Sequence, residues 1–323
     1  MDNTIKIKEL SDRFNEFSKR PDFDEYMSLY LLNTRSDPTA IYEVETDKEI
    51  KETLFDIISS QYDSKRFQDK VIEAYDPVMM KSDTHQHLLA NQYDSIWTVV
   101  NLLINKSQIN HTSKGVLVEH FSDYMVEFSI DSETYHAFGS FASVAKMKKF
   151  GVFGNLTNNK LKSLNKDGVV GLNRQIDVLV IGKQDILIHG SQGFERVFEL
   201  KNLFSEEAKQ TLNSSDFRKY ITKDVLDNLR KIVDNGGRIA RRLTKLRNDE
   251  ERLEDFFANI DKLTQIVGNP QHKNFKKFDS VTYEPKSQKL SVPAGKEEQL
   301  LNIITDANYR AEVSGHIGYD EGR

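Results

Sequence analysis

Gln175-Ile-Asp-Val-Leu-Val-Ile181, Gly182-Lys-Gln184 and Asp185-Ile-Leu-Ile-His189 follow one another without a gap. Two β-branched, apolar runs joined by a short turn with a glycine at its head form the signature of a β-hairpin. Phe194-Glu-Arg-Val-Phe198 comes next and leads into a helix through Phe204. A hairpin feeding straight into helices is a signal for α+β architecture, because no helix separates the two strands.

Working outward from this hairpin, the C-terminal side is mainly helical. Apolar residues recur at helical spacing over Lys223–Val233, Arg238–Arg247 and Glu251–Val267, and Asn235-Gly236-Gly237 marks a stop between the first two. A strand pair at Ser280–Tyr283 and Lys289–Val292, a helix over Lys296–Thr305 and a polar tail complete that side. Towards the N-terminus, Leu10, Phe14 and Phe17 predict a helix, Glu25–Leu32 and Thr39–Glu45 predict strands, and Ile50, Leu54, Ile57 and Ile58 mark a helix face. Asp76–Asn91 reads as irregular, Tyr93–Ile104 as a buried helix around the single tryptophan, and Tyr124–Ile130 as a strand. The fold class is therefore α+β. An acidic α/β domain over 1–140 precedes a domain over 141–323 made of a β-hairpin plus helices.

The charge distribution motivates that boundary. The net charge is −5, but residues 1–141 carry 14 Lys/Arg against 25 Asp/Glu, and the remainder is net positive. Local charge matters more than the total, since screening confines fields to about 8–10 Å. The absence of cysteine excludes disulfides, thiolate nucleophiles and cysteine-based metal sites. No apolar leader opens the chain and no apolar run reaches the roughly 20 residues of a membrane span, so the expected location is the cytoplasm.

Two basic clusters stand out as binding candidates. The stretch 142–166 holds Lys146, Lys148, Lys149, Lys160, Lys162 and Lys166 with no acid, and 230–247 holds seven basic residues against Asp234 alone. Arg238, Arg241, Arg242 and Lys245 follow an i, i+3, i+4, i+7 pattern, which predicts one cationic helix face, with Arg247 beyond it. Such a face suits a phosphate backbone, and Ile239, Leu243 and Leu246 are expected to dock on the core. The competing reading is a solvated charged helix paired with acids. His85-Gln86-His87 lacks a third ligand at recognisable spacing and reads as a loop pair without a metal. Asp177 followed by Glu199-Leu200-Lys201 has the residue types of a metal-dependent nuclease core, in which carboxylates hold Mg²⁺ and a lysine offsets phosphate charge. The same residues also serve as ordinary strand and helix borders. No phosphate-binding glycine loop, dinucleotide fingerprint or nucleophile elbow is present, so a binding protein is favoured over an enzyme, with no cofactor.

Phe150-Gly-Val-Phe-Gly-Asn155, Lys160-Leu161, Leu164, Ile176-Asp177, Ile186-Leu-Ile188 and Phe194–Phe198 leading to Phe204 resemble the KwaB family, the B components of the Kiwa anti-phage defence system. Leu300-Leu301-Asn302, Asp306, Tyr309, Ser314-Gly315 and Tyr319 extend the likeness, although Gly315 follows Ser314 directly where the family spaces them. The resemblance implies a defence effector that binds DNA largely independently of sequence and forms a homo-oligomer, a dimer or tetramer. It also implies a membrane-embedded KwaA-like partner that recruits the chain to the inner face of the cell membrane. It assigns no catalytic residue. The metal-dependent nuclease and a purely protein-interacting subunit stand as alternatives.

Overall fold

The computed structural model describes residues 6–34, 36, 39–79, 83–106, 109–110, 121–141, 154–157, 160–163, 171–263, 280–305, 308–310 and 317–319. These fall into two compact units. The first draws on Met1–Tyr75 and Lys81–Glu199, the second on Asp76–Met80 and Leu200–Arg323.

Unit one is built on a nine-stranded sheet. Its strands in chain order are β1 (Met27–Asn33), β2 (Ala40–Val44), β3 (Val71–Ala74), β4 (Thr84–Leu89), β5 (Ile109–Asn110), β6 (Asp123–Ile130) and β7 (Glu133–Phe141). A separate two-stranded hairpin, β8 (Gly154–Thr157) and β9 (Lys160–Ser163), precedes β10 (Leu172–Ile181) and β11 (Asp185–Ile188). The order across the sheet is β3-β4-β11-β10-β7-β6-β1-β2-β5. All neighbours are antiparallel except β3/β4 and β2/β5 at the edges. The hairpin expected from Gln175–His189 is β10–β11, paired from Val178↔Ile188 to Ile181↔Asp185.

The same sheet runs straight through residue 140. β7 pairs with β10 on the far side of the change in charge, and the boundary between the units lies at Glu199/Leu200. The jump from acidic to basic composition reports surface character; the backbone hydrogen bonds that define a unit carry no such signal.

Helices cover both faces. α1 (Ile7–Phe17) and α2 (Lys48–Asp63) lie on one, where Phe14, Phe17, Phe55, Phe128 and Tyr135 form a dry aromatic cluster. Phe14 meets Phe55, Tyr62, Phe128 and Tyr135 edge-on at 5.1–6.1 Å, the favoured offset for aromatic pairs. The Asp47 carboxylate caps α2 by accepting from the Ile50 amide at 2.9 Å. A short helix, α3 (Lys65–Gln68), follows. α4 (Asp94–Ile104) and α5 (Ser191–Val197) serve the other face. Phe138 there packs on Phe198 at 5.1 Å, and Lys106 beyond α4 reaches the Tyr30 hydroxyl at 2.9 Å and Glu127 at 2.5 Å. β4 lies in the stretch expected to be irregular. Its buried positions are Thr84, His85, Gln86 and Leu88, and their polarity hid the strand.

Unit two is a helical assembly: α6 (Leu200–Leu212), α7 (Ser215–Tyr220), α8 (Lys223–Val233), α9 (Arg238–Arg247), α10 (Glu250–Ala258) and α11 (Glu297–Ile304). A strand pair, β12 (Thr282–Glu284) with β13 (Lys289–Ser291), joins it. The polar tail contains a further strand pair, β14 (Asn308–Arg310) with β15 (Ile317–Tyr319). The glycine stop between α8 and α9 is real: Gly236 and Gly237 adopt φ of +69° and +92°, where any side chain is strained. α9 packs on α6, and Thr211 and Thr244 donate hydroxyl bonds to the Leu243 and Phe204 carbonyls at 3.1 and 3.3 Å. Among the described residues no helix is long and apolar enough to cross a membrane.

Candidate functional site

The cationic face expected on α9 is only partly available. Arg242 is 0 % exposed, and its guanidinium donates to the Asn302 side-chain oxygen at 2.5 Å on α11. Arg238 and Arg242 both approach Glu298, at 3.3 and 3.5 Å, and Lys245 pairs with Asp76 at 2.6 Å. Ile239 is half-buried, while Ala240, Leu243, Thr244 and Leu246 are buried, so neighbours close in on this helix from more than one side. Arg242 is therefore a core residue and not a phosphate contact. Its spacing matches the cationic stripe, but α11 covers that part of the stripe. Arg247 is exposed and Arg241 half-buried. Lys146, Lys148, Lys149 and Lys166 lie outside the described residues. Lys160 and Lys162 stand at alternate positions of β9, opposite Thr157 and Asn155.

The nuclease reading required Glu-x-Lys on a strand beside Asp177. Glu199 instead occupies a left-handed turn (φ +51°) between α5 and α6, where it accepts a hydrogen bond from the Thr39 hydroxyl. Lys201 is helical, and its methylenes cover Gly236. Asp177 faces Arg196 at 3.5 Å, and Arg196 grips the fully buried Asp123 at 2.7 Å. Burial raises the Asp177 carboxyl above its ordinary pKa, Arg196 pulls it down, and Asp123 adds to the rise. Among the described residues no group of three or more histidines or carboxylates is placed to hold a metal.

A different site emerges in unit one, from segments far apart in sequence. A cleft of about 770 Å³ opens between α2, α3 and the start of β10. Arg66, Lys70, Arg174, Gln175 and His189 line it, and Asp56 is the only acid in its wall among the described residues. Both amide atoms of Gln61 are engaged by the backbone of Ile176, the nitrogen at 3.0 Å and the oxygen at 2.7 Å, which pins α2 to β10.

Behind the cleft runs a buried polar chain. The Tyr62 hydroxyl lies 2.6 Å from His189 Nε2, His189 Nδ1 lies 3.1 Å from His85 Nδ1, and His85 Nε2 lies 3.0 Å from the Phe67 carbonyl. A carbonyl only accepts, so His85 carries its proton on Nε2. Burial lowers the pKa of both histidines, and His189 falls well below the ordinary value, so both are neutral. His85 Nδ1 then accepts from His189 Nδ1–H, and His189 Nε2 accepts from Tyr62, whose own ionisation burial pushes far up. Every donor thus meets an acceptor. His85 and His87 belong to a strand rather than a loop, and His87 is turned to Asp185 at 2.7 Å.

A family model described as Kiwa protein KwaB-like matches residues 118–314. The chain belongs to the KwaB-like family. It is accordingly a component of Kiwa anti-phage defence and a partner of other Kiwa components. The KwaB-like match begins just ahead of β6, upstream of Phe150, the first residue of the likeness read from sequence, and takes in the centre of the sheet and most of unit two. Arg174, Gln175 and His189 fall inside it, whereas Tyr62, Arg66, Lys70 and His85 precede it. No curated protein and no solved structure matches the chain.

Proposed function

We propose that this KwaB-like chain is the DNA-engaging effector of Kiwa defence, gripping the phosphate backbone with little regard to sequence. It acts as a homo-oligomer in the cytoplasm, recruited to the inner face of the cell membrane by a membrane-embedded KwaA-like partner. The observation that carries the DNA reading is the β8–β9 hairpin. Lys160 and Lys162 stand two residues apart on one strand, positions that share a face, within a 25-residue stretch of six lysines and no acid. A two-stranded ribbon with lysines at alternate positions of one strand fits a groove or tracks a backbone. Because Arg238, Arg242 and Lys245 already have acidic or amide partners, the lysine stretch is the stronger candidate and the cations of α9 are secondary. Family membership supports the Kiwa partner. The metal-dependent nuclease has no comparable support, since Glu199 lies in a left-handed turn and Lys201 in a helix rather than on a strand.

The test is fluorescence anisotropy on a labelled duplex across 50–200 mM salt, with wild type and Lys160→Glu/Lys162→Glu compared. Wild-type affinity should fall steeply with salt, and the variant should bind at least tenfold more weakly. Each lost phosphate contact should flatten the log–log slope by about 0.9. A folded variant with wild-type affinity and slope would rule out this hairpin as the contact.

A further inference from the structure

We infer that the cleft of unit one is a binding site for a small organic phosphate of nucleotide size. Its volume of about 770 Å³ lies within the range of ligand pockets, roughly 300–1,000 Å³. Its sign is unusual for its surroundings. Unit one is rich in acids, and its other described arginines are paired: Arg13 with Glu133, Arg20 with Asp131, Arg196 with Asp123. Arg66 and Arg174, both exposed, make no ion pair or side-chain hydrogen bond among the described residues, and both line this cleft. Two guanidinium forks on one concavity match the oxygens of a di- or triphosphate, with the Ser60 and Ser64 hydroxyls as further donors.

The rest of the wall suits the uncharged part of such a ligand. Ile57 and Phe67 offer apolar surface. Phe67 is held in place by ring contacts to Tyr62, His85 and His189 at 4.2–5.0 Å. His189 sits at the back of the cleft, its ring fixed between Tyr62 and His85. The Gln61–Ile176 bonds keep α2 and β10 from parting, so the site is formed before any ligand arrives and little ordering opposes binding. A nucleic-acid backbone needs an extended cationic face, whereas these cations converge on a recess.

The experiment measures thermal stability and calorimetric binding of the purified full-length chain with the four common ribonucleoside triphosphates, and with adenosine as the uncharged control, in magnesium-free buffer. At least one triphosphate should raise Tm and bind at sub-millimolar concentration, and adenosine should do neither. Arg66→Ala/Arg174→Ala removes exposed side chains and should fold normally, with triphosphate affinity lowered tenfold or more and duplex-DNA affinity unchanged. The inference is overturned if no triphosphate binds at millimolar concentration, or if the double variant binds as wild type does. It also falls if that variant loses DNA binding, because the cleft is then part of a nucleic-acid surface. The lysine-hairpin variant tests the DNA reading separately, so the two fail independently.

Discussion

Arg242 shows how a single side chain can obey a surface pattern and still belong to the interior. Its guanidinium is sealed between α9 and α11 with Asn302 and Glu298 as partners. Reversing its charge leaves a buried carboxylate facing Glu298, and breaking a buried pair costs about 3–5 kcal/mol. Arg242→Glu should therefore lower the unfolding free energy by about 3 kcal/mol or more, and exposed Arg247→Glu by no more than about 0.5 kcal/mol. Urea titration of both variants decides the matter; equal midpoints would contradict the burial. The histidines give a second residue-scale expectation. His189 is held neutral with its pKa below the ordinary value of about 6.5. As pH falls through that value the unfolded chain takes up the proton first, so stability drops, by at most about 1.4 kcal/mol per pH unit, until the lowered native pKa is reached. Unfolding midpoints between pH 7 and 5 should fall less steeply in His189→Gln than in wild type. Identical slopes would show that His189 is not the group responsible.

At the level of the element, α5 meets β10 at close quarters. A Cβ built on Gly193 would lie 2.3 Å from the Asp177 carboxylate, and one on Gly190 2.6 Å from it. Gly193→Ala must therefore push helix and strand apart, which costs about 1–3 kcal/mol in a packed interior. A Gly193→Ala protein with an unchanged melting temperature would show the contact to be slack. The elements themselves were largely legible. β-Branched runs exposed β10–β11, periodic apolar residues exposed α1, α2 and α4, and two glycines exposed the end of α8. β4 escaped because its buried residues include histidine and glutamine, and the His85 ring is accommodated there because Phe67 and His189 satisfy its two nitrogens.

For the whole molecule, the α+β class could be read from the hairpin-then-helices order, but the division into units could not. Charge changes sign near residue 140 while strand pairing carries on to residue 188. The cleft was equally hidden, since its wall comes from residues 53–70, 174–175 and 189, which only the fold brings together. The lysine stretch, by contrast, is visible as composition alone.

The middle of the sheet carries one further consequence. From Leu172 to Val178, β10 advances six residues while its partner β7 advances only three, from Phe141 to Phe138. Arg174 and Gln175 belong to this surplus, and both turn outward to the cleft. Shifting an ordinary strand by one residue inverts every side chain beyond the shift. Here the spare length already absorbs the mismatch before Val178, where regular pairing resumes. The lining of the cleft can thus change in length or composition while the core positions of Val178–Ile181 keep their faces, which makes this short span the place where the chain has room to adjust what it holds without rebuilding what holds it.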